Sequence, residues 1–416
     1  MTVRSHPTHQ ELILSREYQT GKLQRHGKNF VFLEVLPLNI AVGIKRGYSP
    51  IEDIALGVAE TIPRLKGFEN VIPLVLCAQG SYLDKLETIQ TVPPMGKWVN
   101  PEERAQNKDR YEKHFSMINH INADIIHNHT TEFPHYFLSH PTTVPIVNTI
   151  HVDYKTEQLQ AVNHEHIIHV ALSEAHRKEL QKQGVEVSEV IYNGIDVDSI
   201  DCVEKKENYV LSMGRMTPGK GHADAILAAR AAGYKIVVAG IVQDKPEDIK
   251  YFNEQIKPHI ELELDFEKNP QDFEAMVSSD KKVIFGTRLG NKKYELFGRA
   301  KAFLFPILWP EPFGLTMVEA LATGTPVIAY NRASVPEIIK DREVGYIVNN
   351  VDELATSIRY AGKISPHACR THAHQFSTEL MAGNYAKLFS QLLEDRLHDE
   401  VHRVTPEQRR GRFPPF

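Results

Sequence analysis

Apolar residues in this chain fall into short unbroken runs, separated by stretches where they recur every third or fourth position. The runs NFVFLEVL (29–36), VIPLVLC (71–77), ADIIHNH (123–129), PIVNTI (145–150) and HIIHVAL (166–172) read as strands buried on both faces. Helical spacing separates them: Ile51, Ile54, Ala55, Val58 and Ile62 mark one helix, Pro101 to Ile121 a charged one, and Ser173 caps a third that runs to Gly184. After VIYNGIDVDSI (190–200) the composition shifts to DCVEKKEN (201–208), which is read as a domain boundary. Strands then resume at Tyr209–Met213, Lys235–Gly240, within 260–282, at Val283–Gly286, Ala302–Phe305 and Gly345–Val348, with helices between them. A last amphipathic helix spans His374 to Leu393, with Phe376, Leu380, Met381, Tyr385, Leu388, Phe389 and Leu392 near one face. The pattern predicts an α/β protein with parallel, doubly wound sheets.

A length of 416 residues suits two domains, which imply a cleft. The boundaries expected are 1–200, 201–373, the helix at 374–396 and a polar tail at 397–416. A formal net charge of −5 argues against a nucleic-acid backbone as main partner. No run of about 18 apolar residues exists and the amino end has no apolar core of a leader, so a cytoplasmic protein is expected. Cys77, Cys202 and Cys369 lack paired spacing and read as reduced thiols.

The most informative stretch is Trp309 to Ala329, a loop, a helix and a buried strand. Gly314 supplies the helix N-cap and Gly324 its left-handed stop. Free amides and the positive dipole end make such a helix start an anion site. Glu311 precedes the helix and Glu319 lies within it, so the two carboxylates address different parts of one elongated ligand, such as a phosphate-bearing sugar. Upstream, Gly214 to Lys220 nearly spells the P-loop G-x-x-x-x-G-K but puts Gly221 where a magnesium-binding hydroxyl belongs. What remains is Arg215 and Lys220 around a strand-to-helix turn, both able to reach a diphosphate. No G-x-G-x-x-G follows a strand, which removes a dehydrogenase reading.

His127 and His129, two apart, share a strand face, a pattern that can bind zinc. With no third ligand at a telling spacing, a wet strand end is expected in place of a metal. His151 stands at the carboxyl end of its strand, where ligands bind in open α/β sheets.

The segment EPFGLTMVEALATGTPVIA, with Glu311 and Glu319 in that order, resembles the nucleotide-sugar motif of the family 4 glycosyltransferases, retaining enzymes with two facing Rossmann-like domains (GT-B). The resemblance covers most of the chain and is strongest from 209 to 390. It implies transfer of a hexose from a nucleoside-diphosphate sugar, UDP favoured over GDP, to a hydroxyl acceptor in glycan, glycolipid or small-molecule glycoside synthesis. It also implies a last helix that crosses back onto the first domain. Arg215, Lys220 and the amides of Gly314, Leu315 and Thr316 would hold the diphosphate, and Glu319 the ribose. Glu311, with Pro312 and Phe313, would hold the donor sugar; Arg288 and Leu289 would meet the nucleobase; His151 would lie near the reacting centre. The acceptor-side loop departs from the family's glycine pair: Gly43 and Gly47 are separated by Ile44, Lys45 and Arg46, with Tyr48 following. No cofactor and no metal are expected. Arg409, Arg410 and Arg412 near the end of the tail allow a weak membrane contact. A sugar phosphorylase of the same fold, or a non-catalytic nucleotide-sugar-binding protein, are the alternatives.

Overall fold

The computed structural model describes residues 30–403 apart from 39–40, 43–49, 95–107, 131–135, 138, 141, 152–162, 164–165, 270, 288 and 290–291. The expected roles of Gly43, Gly47, Tyr48, Arg288 and the tail arginines therefore lie outside the described residues. The chain divides into two compact units. One comprises Met1–Val170, Gln183–Ile191 and Glu379–Phe416, the other Ala171–Lys182 and Tyr192–Thr378.

The first sheet holds β1 (Phe30–Val35), β2 (Val71–Cys77), β3 (Glu87–Gln90), β4 (Ile125–Asn128), β5 (Ile146–Thr149), β6 (Ile167–Ala171) and β7 (Val187–Val190), in the order β3-β2-β1-β4-β5-β6-β7. All six residues of β1 are buried, as a middle strand covered on both faces requires. Val31, Leu33 and Val35 pack with Leu74, Leu76 and Phe115. The alternate face carries Phe32 and Glu34. Phe32 meets Phe389 of the long helix Thr378–Arg403 at 5.3 Å between ring centroids, so the carboxyl-terminal helix packs on the first sheet. Burying a side chain as large as Phe389 contributes roughly 1.5–3 kcal/mol to that attachment.

The expected single helix from His374 is broken. His374–Phe376 forms one tight turn, Ser377 is extended, and the helix begins at Thr378. The break resets the helical phase. Phe376 packs with Tyr192 and Phe313 in the second unit, and Leu380 is 53% exposed instead of sharing the apolar face.

The second sheet is parallel throughout: β8 (Tyr209–Met213), β9 (Lys235–Ala239), β10 (Leu262–Asp265), β11 (Val283–Thr287), β12 (Ala302–Phe305), β13 (Val327–Tyr330) and β14 (Gly345–Val348), in the order β10-β11-β9-β8-β12-β13-β14. Leu211, Met213, Phe303 and Phe305 feed the core on one face, and Val210, Ile236, Val238 and Leu304 that on the other. Residues 201–208 are bound into this unit rather than loose: Val203 N–H donates to the Thr323 carbonyl at 3.0 Å, and Lys206 Nζ to the Gly298 carbonyl at 2.7 Å. Among the described residues, no helix is long and apolar enough to cross a membrane.

Candidate functional site

Two loops at the carboxyl ends of adjacent strands, β8 and β12, build the site within the second unit. After β8 the chain makes one tight turn, Pro218–Lys220, passes through Gly221 at φ +68°, and enters the helix His222–Ala232. A Cβ on Gly221 would stand 1.9 Å from the Pro306 carbonyl oxygen. No side chain fits there, which is why the hydroxyl residue of a true P-loop is excluded from this position. The loop after β12 lies directly against this turn: Leu308 N–H donates to the Gly219 carbonyl at 2.8 Å, and Gly219 abuts the Trp309 side chain. His222 braces the turn from beneath. Its Nδ1 is 2.8 Å from Ser212 Oγ and its Nε2 3.1 Å from the Arg215 carbonyl, while burial pushes its pKa down to about 4.

The functional side chains meet on this scaffold. Lys220 Nζ pairs with Glu311 Oε2 at 2.5 Å, and the two side chains are 16% and 13% exposed. Trp309 Nε1 donates to the same oxygen at 2.8 Å, and Lys220 also lies over the Trp309 ring at 5.1 Å. Glu311 is thus held by two donors, one charged. The helix Leu315–Ala322 starts three residues beyond Pro312, with Gly314 as N-cap at φ +88° and no side chain capping it; Leu315 and Thr316 are half-buried. Arg215 is half-buried and donates to Gln243 Oε1 at 3.3 Å.

Pro312 and Phe313 do not offer their side chains to a sugar. Phe313 is 2% exposed, with its ring 6.1 Å from Tyr192 and 5.8 Å from Phe376. Their carbonyls are engaged too, accepting from Ser173 Oγ at 2.6 Å and Ser334 Oγ at 2.7 Å. The two residues anchor the loop. Glu319 is buried and pairs with Lys293, a residue the motif gave no reason to single out. Leu289 is half-buried against the core, and its carbonyl accepts from Lys292 N–H at 2.8 Å.

In the first unit, the expectation of a wet strand end at His127 and His129 is wrong. Both are buried, because β4 runs beside β1 in the middle of its sheet. Parallel register sets Glu34 opposite His127. Glu34 Oε1 is 2.9 Å from His127 Nδ1, and Oε2 is 2.9 Å from His129 Nε2. His129 Nδ1 lies 2.8 Å from Nε2 of His151, which is half-buried just past β5. Burial drives the pKa of His127 and His129 down to about 3, and desolvation raises that of Glu34. The only signal for Glu34 in the sequence was one carboxylate inside an apolar run.

Two Rossmann-like units with seven-stranded sheets define the GT-B class of fold. HepE of Anabaena, solved in complex with UDP-glucose, superposes with a TM-score of 0.62 at 16% identity, over 87% of this chain and 100% of that one. Residues 201–374 match the family of glycosyl transferases, group 1. An uncharacterized 41.2 kDa protein in the cps region of Klebsiella pneumoniae is 26% identical over 219 residues, 48% of this chain and 54% of that protein. The N-acetylgalactosamine-N,N'-diacetylbacillosaminyl-diphospho-undecaprenol 4-alpha-N-acetylgalactosaminyltransferase of Campylobacter jejuni is 29% identical over 168 residues, 38% of this chain and 40% of that enzyme. The chain thus spans about half or less of the length of these curated relatives. The family match over residues 201–374 and the Campylobacter jejuni enzyme show what this part of the chain is similar to: glycosyltransferases.

Proposed function

We propose that the chain is a retaining glycosyltransferase that moves a hexose from a nucleoside-diphosphate sugar to a hydroxyl acceptor. The observation that carries this reading is the contact between Lys220 and Glu311, 2.5 Å apart beside the helix start at Gly314. One cation, one carboxylate and a set of helix-start amides are what a sugar joined to a diphosphate needs.

Departure of the diphosphate leaves positive charge on the sugar ring and negative charge on the leaving oxygen, so the catalysis is electrostatic. Lys220, Arg215 and the amides of Gly314, Leu315 and Thr316 stabilise the leaving diphosphate. Glu311 holds sugar hydroxyls and favours the cationic ring. Glu319, oriented by Lys293, takes the ribose hydroxyls. His151 is a further catalytic candidate from the first unit, Leu289 a nucleobase contact, and Gly43, Gly47 and Tyr48 belong to the acceptor loop. No divalent metal is required at the diphosphate, because two side-chain cations and a helix end serve it. A UDP-sugar is the favoured donor, in keeping with the UDP-glucose bound by HepE.

The test is calorimetric titration with UDP, GDP and their hexose conjugates, followed by NMR of the anomeric centre in the turnover product. Binding of one diphosphate series and retention at the anomeric carbon are expected. Absence of binding to every nucleoside diphosphate, or an inverted product, contradicts the proposal.

A further inference from the structure

The first unit holds a second cluster of chemically capable groups, which the proposed transfer does not use as a unit. Glu34 and His127 are cross-strand neighbours in register on β1 and β4, and His129 follows two residues later on the same face. All three side chains are buried. Among the described residues, the ion-pair partners of Glu34 are these two imidazoles, and no lysine or arginine stands beside it. Buried carboxylates are retained in proteins when they are paired with a cation or coordinate one.

The imidazoles are oriented from behind. His127 Nε2 is 2.9 Å from Thr149 Oγ1, which is 2.8 Å from the Tyr385 hydroxyl, and His129 Nδ1 is 2.8 Å from His151 Nε2. Each ring has one nitrogen engaged by an outer partner and turns the other toward Glu34, the arrangement by which outer groups orient metal-binding histidines. The two inward nitrogens are 3.3 Å apart, and each is 2.9 Å from a carboxylate oxygen. In a tetrahedral zinc site with bonds of about 2.0–2.1 Å, neighbouring ligand atoms stand roughly 3.3 Å apart.

We infer that Glu34, His127 and His129 form a binding site for a divalent transition-metal ion of the zinc type. Two imidazoles and one carboxylate favour zinc and its neighbours over magnesium or calcium, which take oxygen ligands. The ion supplies the positive charge that the buried carboxylate lacks and ties β1 to β4 under the helix that carries Tyr385 and Phe389. This inference does not rest on the proposed transfer, since the three ligands lie in the first unit and the diphosphate groups in the second; the two readings share only His151, the outer partner of His129.

The test starts with full-length protein purified without a metal-affinity step, stripped with a strong chelator, and titrated with zinc against a chromophoric competitor. One tight site per chain is expected, together with a rise in melting temperature. Cobalt in place of zinc should give the intense visible bands of a four- or five-coordinate ion. Glu34→Gln and His127→Asn should lose the site, and Thr149→Val should weaken it by about 10- to 100-fold while leaving all three ligands in place. Wild-type protein that shows no tight zinc site against the competitor, or a cobalt spectrum like that of the hexa-aquo ion, overturns the inference and leaves a hydrogen-bonded cluster without metal. The wild-type titration decides the matter even if a variant fails to fold.

Discussion

Lys220 and Glu311 are 91 residues apart in the chain, yet their charged atoms lie 2.5 Å from each other, because the turn after β8 and the loop after β12 leave the carboxyl ends of adjacent parallel strands. The pair is only partly exposed, so its electrostatics escape most solvent screening. Its two members carry different roles, and they can be separated experimentally.

Lys220→Ala should weaken nucleoside-diphosphate binding by about 1.5–3 kcal/mol, the range for a charged hydrogen bond, or roughly tenfold to a hundredfold in Kd. Glu311→Gln should leave that affinity nearly intact and abolish transfer. Calorimetry paired with a turnover assay checks both, and full turnover by the Glu311 variant would refute its role.

Lys293→Met removes the cation paired with the buried Glu319 carboxylate. Breaking a buried pair from one side costs about 3–5 kcal/mol. Urea denaturation should show that loss, and the double variant Lys293→Met, Glu319→Gln should recover part of it. Additive losses in the double variant would contradict the pairing.

Gly221 and Gly233 both adopt left-handed backbone, at φ +68° and +80°. A Cβ on Gly233 meets nothing within 4 Å, whereas one on Gly221 would overlap the Pro306 carbonyl at 1.9 Å. Gly233→Ala should therefore cost only about 1–2 kcal/mol of conformational strain and spare nucleotide binding. Gly221→Ala should cost more and displace the turn carrying Lys220, with nucleotide affinity lost. Equal effects of the two substitutions would contradict this geometry.

Burial holds His114 down to about 3 and His222 down to about 4, against about 6.5 in an unfolded chain. Below about pH 6.5 the unfolded chain takes up protons that the native protein refuses, so stability is complete above that pH and falls as the solution is acidified toward the native values. Each such histidine adds a slope of up to about 1.4 kcal/mol per pH unit. His114→Leu should flatten the acid slope of urea-denaturation stability, while Thr91 keeps its bond to the Cys77 carbonyl at 3.2 Å. An unchanged slope would show that His114 is protonated in the native protein.

The strands most plainly legible in the sequence are those covered on both faces, where burial writes an unbroken apolar run such as Phe30–Val35, although the edge strand Gly345–Val348 was read as well. β3, reading ETIQ, passed unnoticed because it is an edge strand with polar positions. The same divide holds for the candidate site. Glu311, Gly314 and Lys220 announce themselves through local glycine and proline chemistry. Lys293 and Glu34 do not, because their importance comes from partners 26 and 93 residues away, brought near by packing and strand register. Phe313 misled in the opposite direction: it sits inside the motif, but its ring serves the core.

The most direct measurement compares, by calorimetry, the binding of UDP, UMP and uridine, and of the guanosine series, to wild-type protein and to Lys220→Ala. In the better-bound series the diphosphate should exceed the nucleoside by at least about tenfold, and the variant should lose most of that advantage. A wild-type protein that binds nucleoside and diphosphate alike, or an advantage that survives loss of Lys220, would contradict a diphosphate site at this turn.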